Sequence, residues 1–508
     1  MSVGGGAVPE APVPEATPPT LLHALFATAA REPERLALVA GDREVTWGAL
    51  ARRAAALAAR LQAEGVRPGD RVLISGENSD AVPVAYFGAH AAGAVAVPVA
   101  PDTPAAALAR IAEDAEARVA LLDRPQDASP VSLACPVFDA REATADEAAS
   151  LALDRWPEPS DVADLLFTTG TTGRKKGVVL THANVRSAAV NISAFVGNTP
   201  HDVETVALPL SHSFGLGRLR CAALVGNALV LERGMANSAL VLRRMLQRRV
   251  TGLALVPAGF DILRRVTGDA LGRLAGSLRY VEIGSAPMRA ETREWLVRML
   301  PHTRLCHHYG LTEASRAAFT EYHADAARPG SVGRASPNVA VTILDAEGRA
   351  LPPGEEGEIA VAGGMVLREY WRQPELTARA LGPWGFRTGD VGRVDADGYL
   401  YLLGRREDLI NVGGRKVVPD EVEEALRACP GVRDAACVPA PDPEGVLGQQ
   451  VRAYVVADAP LDVPALQAQL RAVLEDYKVP REVVLVDAVP RTASGKIQRQ
   501  LLAQRRPA

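Results

Sequence analysis

The sequence predicts an α/β protein. A large N-terminal domain of βα-layered sheets carries a small antiparallel β unit, and a small, separate α+β domain follows at the C-terminus. Three observations predict this. At 508 residues the chain exceeds what one ordinary core organises. As far as Gly330, short apolar runs alternate with helix-period stretches, the pattern of parallel strands joined by crossover helices. Beyond Gly330 short strands are separated by turn residues, and beyond Arg405 a separate mix of strands and helices begins.

Residues 1–20, rich in Gly and Pro, read as a disordered tail with neither the basic start nor the apolar core of a signal peptide. The large domain is expected over 21–404 and the separate C-terminal domain, which the resemblance named below implies is mobile, over 405–508. In the first βα series, Leu36 to Val39, Arg71 to Ser75, Ala94 to Val99 and Val119 to Leu122 read as strands. Leu50, Ala54, Leu57 and Leu61 fall on one helical face between them. Residues 125–159 read as a polar connection. The second series contains Thr205 to Leu210, Ala228 to Leu231, Leu253 to Val256 and Tyr280 to Ile283. Turns at 345–348, 352–357 and 395–398 then separate Val339–Leu344, Glu358–Val361 and Leu400–Leu403. In the C-terminal domain Asp420 is expected to cap a helix, with Glu423 reaching back as in a capping box. Val422, Ala425, Leu426 and Cys429 form the inner face of that helix, and Leu466, Leu470, Val473 and Leu474 that of the next.

Bulk properties exclude several classes. A net charge of −4 gives no basic footprint for nucleic acid. The five cysteines are scattered without a C-x-x-C pair, which points to a reducing, cytoplasmic compartment. No charge-free apolar run is long enough to span a membrane.

The most informative stretch is LLFTTGTTGRKKG, from Leu165 to Gly177. An apolar run enters a loop of threonines, glycines and cations. Gly170 and Gly173 let the backbone approach a ligand closely. Thr168, Thr169, Thr171 and Thr172 supply hydroxyl donors, and Lys176 can reach a phosphate as a point charge. The Walker spacing G-x-x-x-x-G-K-[ST] is absent, so this is a polyphosphate loop of another type. Taken alone, the segment also reads as a polar surface turn.

Six further segments carry polar clusters: PLSHSFGLG at 209–217, GSAPM at 284–288, HHYGLTEAS at 307–315, WGFRTGD at 384–390, GRREDLINVGGRKVVP at 404–419 and PRTASGKI at 490–497. Singly each has a bland reading, such as a common turn at Gly389-Asp390 or a solvated loop at Gly495-Lys496. His302, Cys306, His307 and His308 lack ligands at recognised zinc spacing. Neither a G-x-S-x-G elbow nor a G-x-G-x-x-G fingerprint is present. In their order and spacing the segments resemble the adenylate-forming superfamily of acyl-CoA synthetases, adenylation enzymes and luciferase-like proteins, from about Leu21 to Leu502.

The resemblance implies an AMP-forming acid–CoA ligase using ATP, Mg²⁺ and CoA. Thr168 to Gly173 and Lys176 would hold the β- and γ-phosphates. Tyr309, followed by Gly310, would stack on adenine, with Gly284, Ser285 and Ala286 closing the other face. Thr312 would bond the α-phosphate and Glu313 would hold the metal. Asp390 would accept the ribose hydroxyls, with Arg405 as a cation nearby. Lys496 would reach the carboxylate and α-phosphate during adenylation. Domain rotation about a hinge at Glu407 would then present Gly413 and Gly414 to the pantetheine arm. A carboxylate attacking a phosphate is a meeting of anions, so positioning and charge neutralisation carry the catalysis.

Two positions depart from the family. Lys175 stands where a proline or small apolar residue is usual, and Glu407 stands at a hinge that is usually Asp or Lys. The acyl pocket is expected from His212, Ser213, Phe214, Gly215, Gly217 and Phe260, with the two glycines leaving room. His212 is counted among the catalytic set, in a gating or packing role rather than as a base. No carboxylate in that segment would partner a substrate ammonium, which favours a hydrophobic, bulky or polycyclic acid over an amino acid. Four alternatives share the motifs: transfer to a separate carrier-protein pantetheine, restriction to the thioester half-reaction on an adenylate made elsewhere, luciferase-like oxidation, and a non-catalytic nucleotide sensor.

Overall fold

The structure is a computed structural model. It describes residues 18–123, 133–148, 150–169, 175–406, 408–413, 415–443, 448–459, 461–492 and 495–503. They belong to two compact units, one formed by the chain up to Val341 with Ala360–Arg387, the other by Thr342–Ile359 with the chain from Thr388 onward.

In the first unit, a nine-stranded sheet contains the neighbours Arg304–Tyr309, Tyr280–Ile283, Gly252–Leu255, Val203–Val206, Ala228–Leu231 and Leu36–Ala40, in that order. All five of these pairings are parallel. The strands therefore end at one edge of the sheet, where α/β proteins place ligand crevices. A seven-stranded sheet includes Lys175–Thr181, Val162–Thr169, Val95–Val99, Arg71–Ser75, Ala117–Leu122 and Val137–Asp139. Its first two strands pair antiparallel, with Thr169 facing Lys175 and Thr168 facing Lys176.

Local chemistry explains these elements. Thr46 caps the helix Trp47–Ala63 by accepting from the Ala49 N–H, and Leu50, Ala54, Leu57 and Leu61 are its buried stripe. The helix Ala81–Ala91 packs so closely against it that a Cβ on Gly88 would lie 2.6 Å from Leu57 Cδ2. The tail expectation covers 1–20, of which 1–17 lie outside the described residues. Thr20 is buried and caps the helix Leu21–Arg31, so order begins before residue 21. The stretch read as a connection contains the strand Val137–Asp139, paired parallel to Ala117–Leu122, and the short helix Ala140–Ala143.

The second unit holds the antiparallel sheet pair Val432–Pro441 and Gln449–Ala457, with Glu482–Leu485 added parallel to the latter. The helices Pro419–Arg427 and Val463–Arg471 bury Val422, Leu426, Leu466 and Leu470 in its core. The expected cap at Asp420 does not form: Val418 is the N-cap and Pro419 fills the first helical position, which suits proline's fixed φ and missing N–H. Glu423 instead turns inward, accepting from the Cys437 N–H at 2.7 Å and pairing with Arg499. Val473 also differs from expectation; its helix ends at Arg471 and the side chain is 71% exposed.

Buried charge marks the first unit. Asp164 accepts from the Tyr86 hydroxyl at 3.1 Å and from His90 Nε2 at 3.2 Å, and pairs with Arg220. Burial would raise its carboxyl, but Arg220 and His90 outweigh that and hold it below the usual range. Among the described residues no helix is long and apolar enough to cross a membrane.

Removing one member of such a buried pair strands the other. Asp164→Ala should therefore destabilise the protein by about 3–5 kcal/mol in urea unfolding. A loss within the range of ordinary surface substitutions would contradict this reading of Arg220.

Candidate active site

The parallel edge gathers most of the expected nucleotide and acyl residues of the first unit. The strand Tyr280–Ile283 ends directly at Gly284, and Arg304–Tyr309 ends at Gly310. Their register pairs Ile283 with His307, so Gly284 lies beside His308. A Cβ on Gly284 would fall 2.0 Å from the His308 ring, which makes glycine obligatory there. Ser285 follows in the left-handed region at φ +74°, a conformation rare for a residue with a side chain. The turn is tied down by His307, whose Nε2–H donates to the Ala286 carbonyl at 3.1 Å while Nδ1 accepts from the Tyr322 hydroxyl at 2.8 Å. Both ring nitrogens are thus used in the neutral form. Burial and the neighbouring His308 push the His307 pKa down to about 4.

From Val203–Val206, one strand beyond Gly252–Leu255 along the same edge, the chain runs through Leu208 and Pro209 into the helix Ser213–Val225, with His212 as N-cap. The Thr312 hydroxyl approaches Ser213 Oγ at 3.5 Å, so the expected α-phosphate ligand and the acyl segment are neighbours. Glu313 accepts from the Tyr370 hydroxyl at 3.0 Å through Oε1, which leaves Oε2 to face a cation. A single oriented carboxylate fits Mg²⁺, which keeps few protein ligands and takes phosphate oxygens. Tyr370 stands on the strand paired with Val178 and Val179 of the phosphate-loop hairpin, and Lys176 Nζ lies 5.8 Å from its ring centre. Tyr370 thereby joins Glu313 to the hairpin that carries Lys176. Gly170, Thr171, Thr172 and Gly173 lie outside the described residues, as do the side chains of Thr169 and Lys175.

Beneath these segments lies a closed ionic network. Arg218 donates to both Glu204 oxygens at 2.6 Å and to Glu282 Oε2 at 2.8 Å. Glu282 Oε1 lies 3.0 Å from both Arg316 Nε and His308 Nδ1. The Tyr280 hydroxyl donates to Glu204 at 2.8 Å. Burial would raise the Glu282 carboxyl, but Arg316 and Arg218 outweigh it and hold it well below the usual carboxylate range. The two glutamates and two arginines balance, with His308 kept neutral chiefly by burial.

Two acyl-pocket expectations change here. The space beside Gly215 and Gly217 is filled: a Cβ on Gly215 would meet the Pro209 carbonyl oxygen at 2.4 Å, and one on Gly217 the Arg316 guanidinium at 2.5 Å. Phe260 is fully buried and belongs to the core with Leu255, Leu263, Ile283 and Trp295. Phe214 meets His308 edge-on at 4.7 Å between ring centres. Arg316 and Tyr370 escaped the sequence reading. The signal for Arg316 was a cation directly after GLTEAS, with Glu204 and Glu282 inside apolar strand runs.

In the second unit the antiparallel register sets Arg405 opposite Asp390, and their side chains pair at 2.7 Å. The Asp390 N–H donates to Thr388 Oγ1 at 3.0 Å, fixing the turn. Lys496 sits on a tight loop: its N–H donates to Thr492 Oγ1 at 3.1 Å, and its carbonyl accepts from the Thr492 N–H at 2.8 Å. Arg491 braces that loop through the Gly495 carbonyl at 3.0 Å and both Asp434 oxygens at 3.0 Å. Gly413 has φ +57° in the turn after Ile410–Val412. Glu407 and Gly414 lie outside the described residues.

The chain is similar to known proteins along almost its whole length. Residues 25–371 match the AMP-binding enzyme family, and residues 421–496 match the AMP-binding enzyme C-terminal domain. The chain is 35% identical to a feruloyl-CoA synthase of Amycolatopsis sp over 476 residues, 92% of this chain and 94% of the relative. It is 32% identical to the fatty acid–[acyl-carrier-protein] ligase ScoC of Streptomyces coeruleorubidus, over 96% of each chain. Among solved structures, o-succinylbenzoate CoA synthetase (MenE) from Bacillus subtilis with the acyl-adenylate OSB-AMP superposes at TM-score 0.88 and 28% identity, covering 96% of this chain and 98% of that one. The same synthetase has been solved with ATP and magnesium ion.

The neutral His307 gives a pH signature. The unfolded chain takes up this proton below about pH 6.5, whereas the folded chain resists it down to about 4. Stability from this group is therefore present above 6.5 and lost as pH falls through that window, by up to about 3 kcal/mol. Urea titrations from neutral to about pH 4 should show a shallower acid limb for His307→Gln than for the wild type. Equal slopes would mean that His307 titrates alike in the folded and unfolded chain, and would contradict its neutral role in the turn.

Proposed function

The chain belongs to the AMP-binding enzyme family as an AMP-forming acid–CoA ligase, and on that premise we propose that its acid is uncharged and hydrophobic, ring systems included. The acid's carboxylate oxygen attacks the α-phosphorus of ATP, and the bond to pyrophosphate breaks. The CoA thiol then loses its proton and attacks the acyl carbon, and AMP leaves. The observation carrying the substrate class is the closed charge balance beside Ser213 and Phe214. Glu282 is held by Arg218 and Arg316, so it offers nothing to a substrate ammonium. Arg316 is likewise spent on Glu282 and two backbone carbonyls, so it offers nothing to a second substrate carboxylate.

The chain's own residues divide the work. Thr168, Lys176 and the intervening loop are assigned to the β- and γ-phosphates, Thr312 to the α-phosphate, and Tyr309 with Gly284–Ala286 to adenine. Glu313, oriented by Tyr370, is assigned to Mg²⁺, which supplies neutralisation of phosphate charge. Asp390 is assigned to the ribose. Lys496 is assigned to charge stabilisation in adenylation, and Gly413–Gly414 to the pantetheine arm after rotation of a domain beginning near Arg405. The likeness to ScoC supports a second reading in which the acceptor is a carrier-protein pantetheine; comparing CoA with a holo carrier as acceptor separates the two.

The substrate class is tested by ATP–pyrophosphate exchange with matched acids. A hydrophobic acid should exchange well, and its ω-amino and ω-carboxy analogues should fall by about 10²-fold or more, because each buries an unpaired charge. Preference for either charged analogue would overturn the assignment.

Lys496→Ala should lower the adenylation rate on the order of 10²–10³, as for loss of one preorganised donor. Thioester formation from a supplied acyl-adenylate should survive; equal loss in both steps would contradict the two-step division. Asp390→Ala should weaken ATP binding by about 1–3 kcal/mol through unpaired ribose hydroxyls. Wild-type ATP affinity in that variant would reduce Asp390 to a turn residue.

A further inference from the structure

Arg316 lies two residues beyond Ala314 in the nucleotide-side loop, yet its side chain serves the acyl-side helix. Nη1 donates to the Ser213 carbonyl and Nη2 to the Phe214 carbonyl, each at 3.1 Å. Nε donates to Glu282 Oε1 at 3.0 Å, the same oxygen that faces His308 Nδ1 at 3.0 Å. One guanidinium thus binds the first turn of the helix after His212, the strand leading to Gly284, and, through Glu282, the residue before Tyr309.

The backbone is shaped for this. Arg316 is a non-glycine residue in the left-handed region, at φ +52°, and only 3% of it is exposed. Its guanidinium occupies the space that Gly217 leaves, and its backbone nitrogen would lie 2.4 Å from a Cβ on Gly310. The ring of Phe214 stacks under the cation at 5.0 Å. Strain persists only where surroundings over-determine it, and here the guanidinium's contacts do so.

We infer that Arg316 is a positioning residue that couples the acid site to the ATP site. This rests on the acid–CoA ligase reading. A shift of Ser213 and Phe214 on acid binding is passed through Arg316 to Thr312 and Glu313, so each substrate organises the other's site. Lysine cannot replace it, because one ammonium on a flexible stem does not span a carboxylate and two carbonyls in a fixed plane.

The test is ATP–pyrophosphate exchange, with the KM for ATP measured at low and at saturating hydrophobic acid. In the wild type, acid should lower the KM for ATP by about fivefold or more, the usual scale of coupling between two sites. Arg316→Lys should reduce that factor below about twofold, with thermal unfolding measured alongside to report folding. Gly217→Ala serves as a second variant: every charge is kept and only the guanidinium is displaced. Its coupling should fall in the same way. Wild-type coupling in either folded variant, or a wild type without coupling, would overturn the inference while leaving the ligase reading intact. Absence of exchange with every acid in the wild type would overturn both.

Discussion

The buried chain of Glu204, Arg218, Glu282 and Arg316 is the constraint around which the site is organised. Each member is at most 3% exposed, so none keeps a hydration shell to fall back on. Charges taken out of water persist only when paired with good geometry, and losing one partner costs about 3–5 kcal/mol. Glu204 and Glu282 come from neighbouring parts of one sheet, Arg218 from the helix after His212, and Arg316 from the loop after Tyr309. Satisfying the network fixes these segments together. Ser213, Phe214 and Gly284 are held at its rim.

The parallel edge supplies the rest of the geometry. Crossover connections bring the chain back to the same end after each strand, so Gly284, Tyr309 and the segment containing His212 emerge at one edge without being near in sequence. The chemistry assigned to this edge joins two anions, for which fixed donors and cations matter more than any single base. Tyr370 shows how such fixing is done. It arrives from a distant two-residue strand, bonds Glu313 and stands beside Lys176, so Glu313 and the Lys176 hairpin share one support.

Much of this was legible in the sequence. Arg71–Ser75, Ala228–Leu231 and Tyr280–Ile283 form as their apolar runs indicate, because a strand covered on both faces is a continuous hydrophobic word. The strand after Thr205 starts earlier, at Val203, since the run through Leu208 and Leu210 continues into the segment that enters the next helix. What stayed hidden depends on distance in the chain. Arg316 finds Ser213 across 103 positions and Tyr370 finds Glu313 across 57, and no local pattern encodes such pairings. Phe260 and the space beside Gly217 misled for another reason: composition indicates what is small or apolar, whereas the fold decides whether a core or a guanidinium fills the gap. Asp420 looked like a cap because its spacing to Glu423 is right, but Pro419 starts the helix and Arg499 claims both carboxylates.

The central claim is that this site joins an uncharged acid to a thiol through an adenylate. Mass spectrometry of the products from a carboxylic-acid panel with ATP, Mg²⁺ and CoA addresses it most directly. The account predicts AMP together with a hydrophobic acyl-CoA, formed in equal amounts and only when acid, ATP and CoA are all present. ADP in place of AMP, or nucleotide binding with no acyl product from any acid, would contradict it.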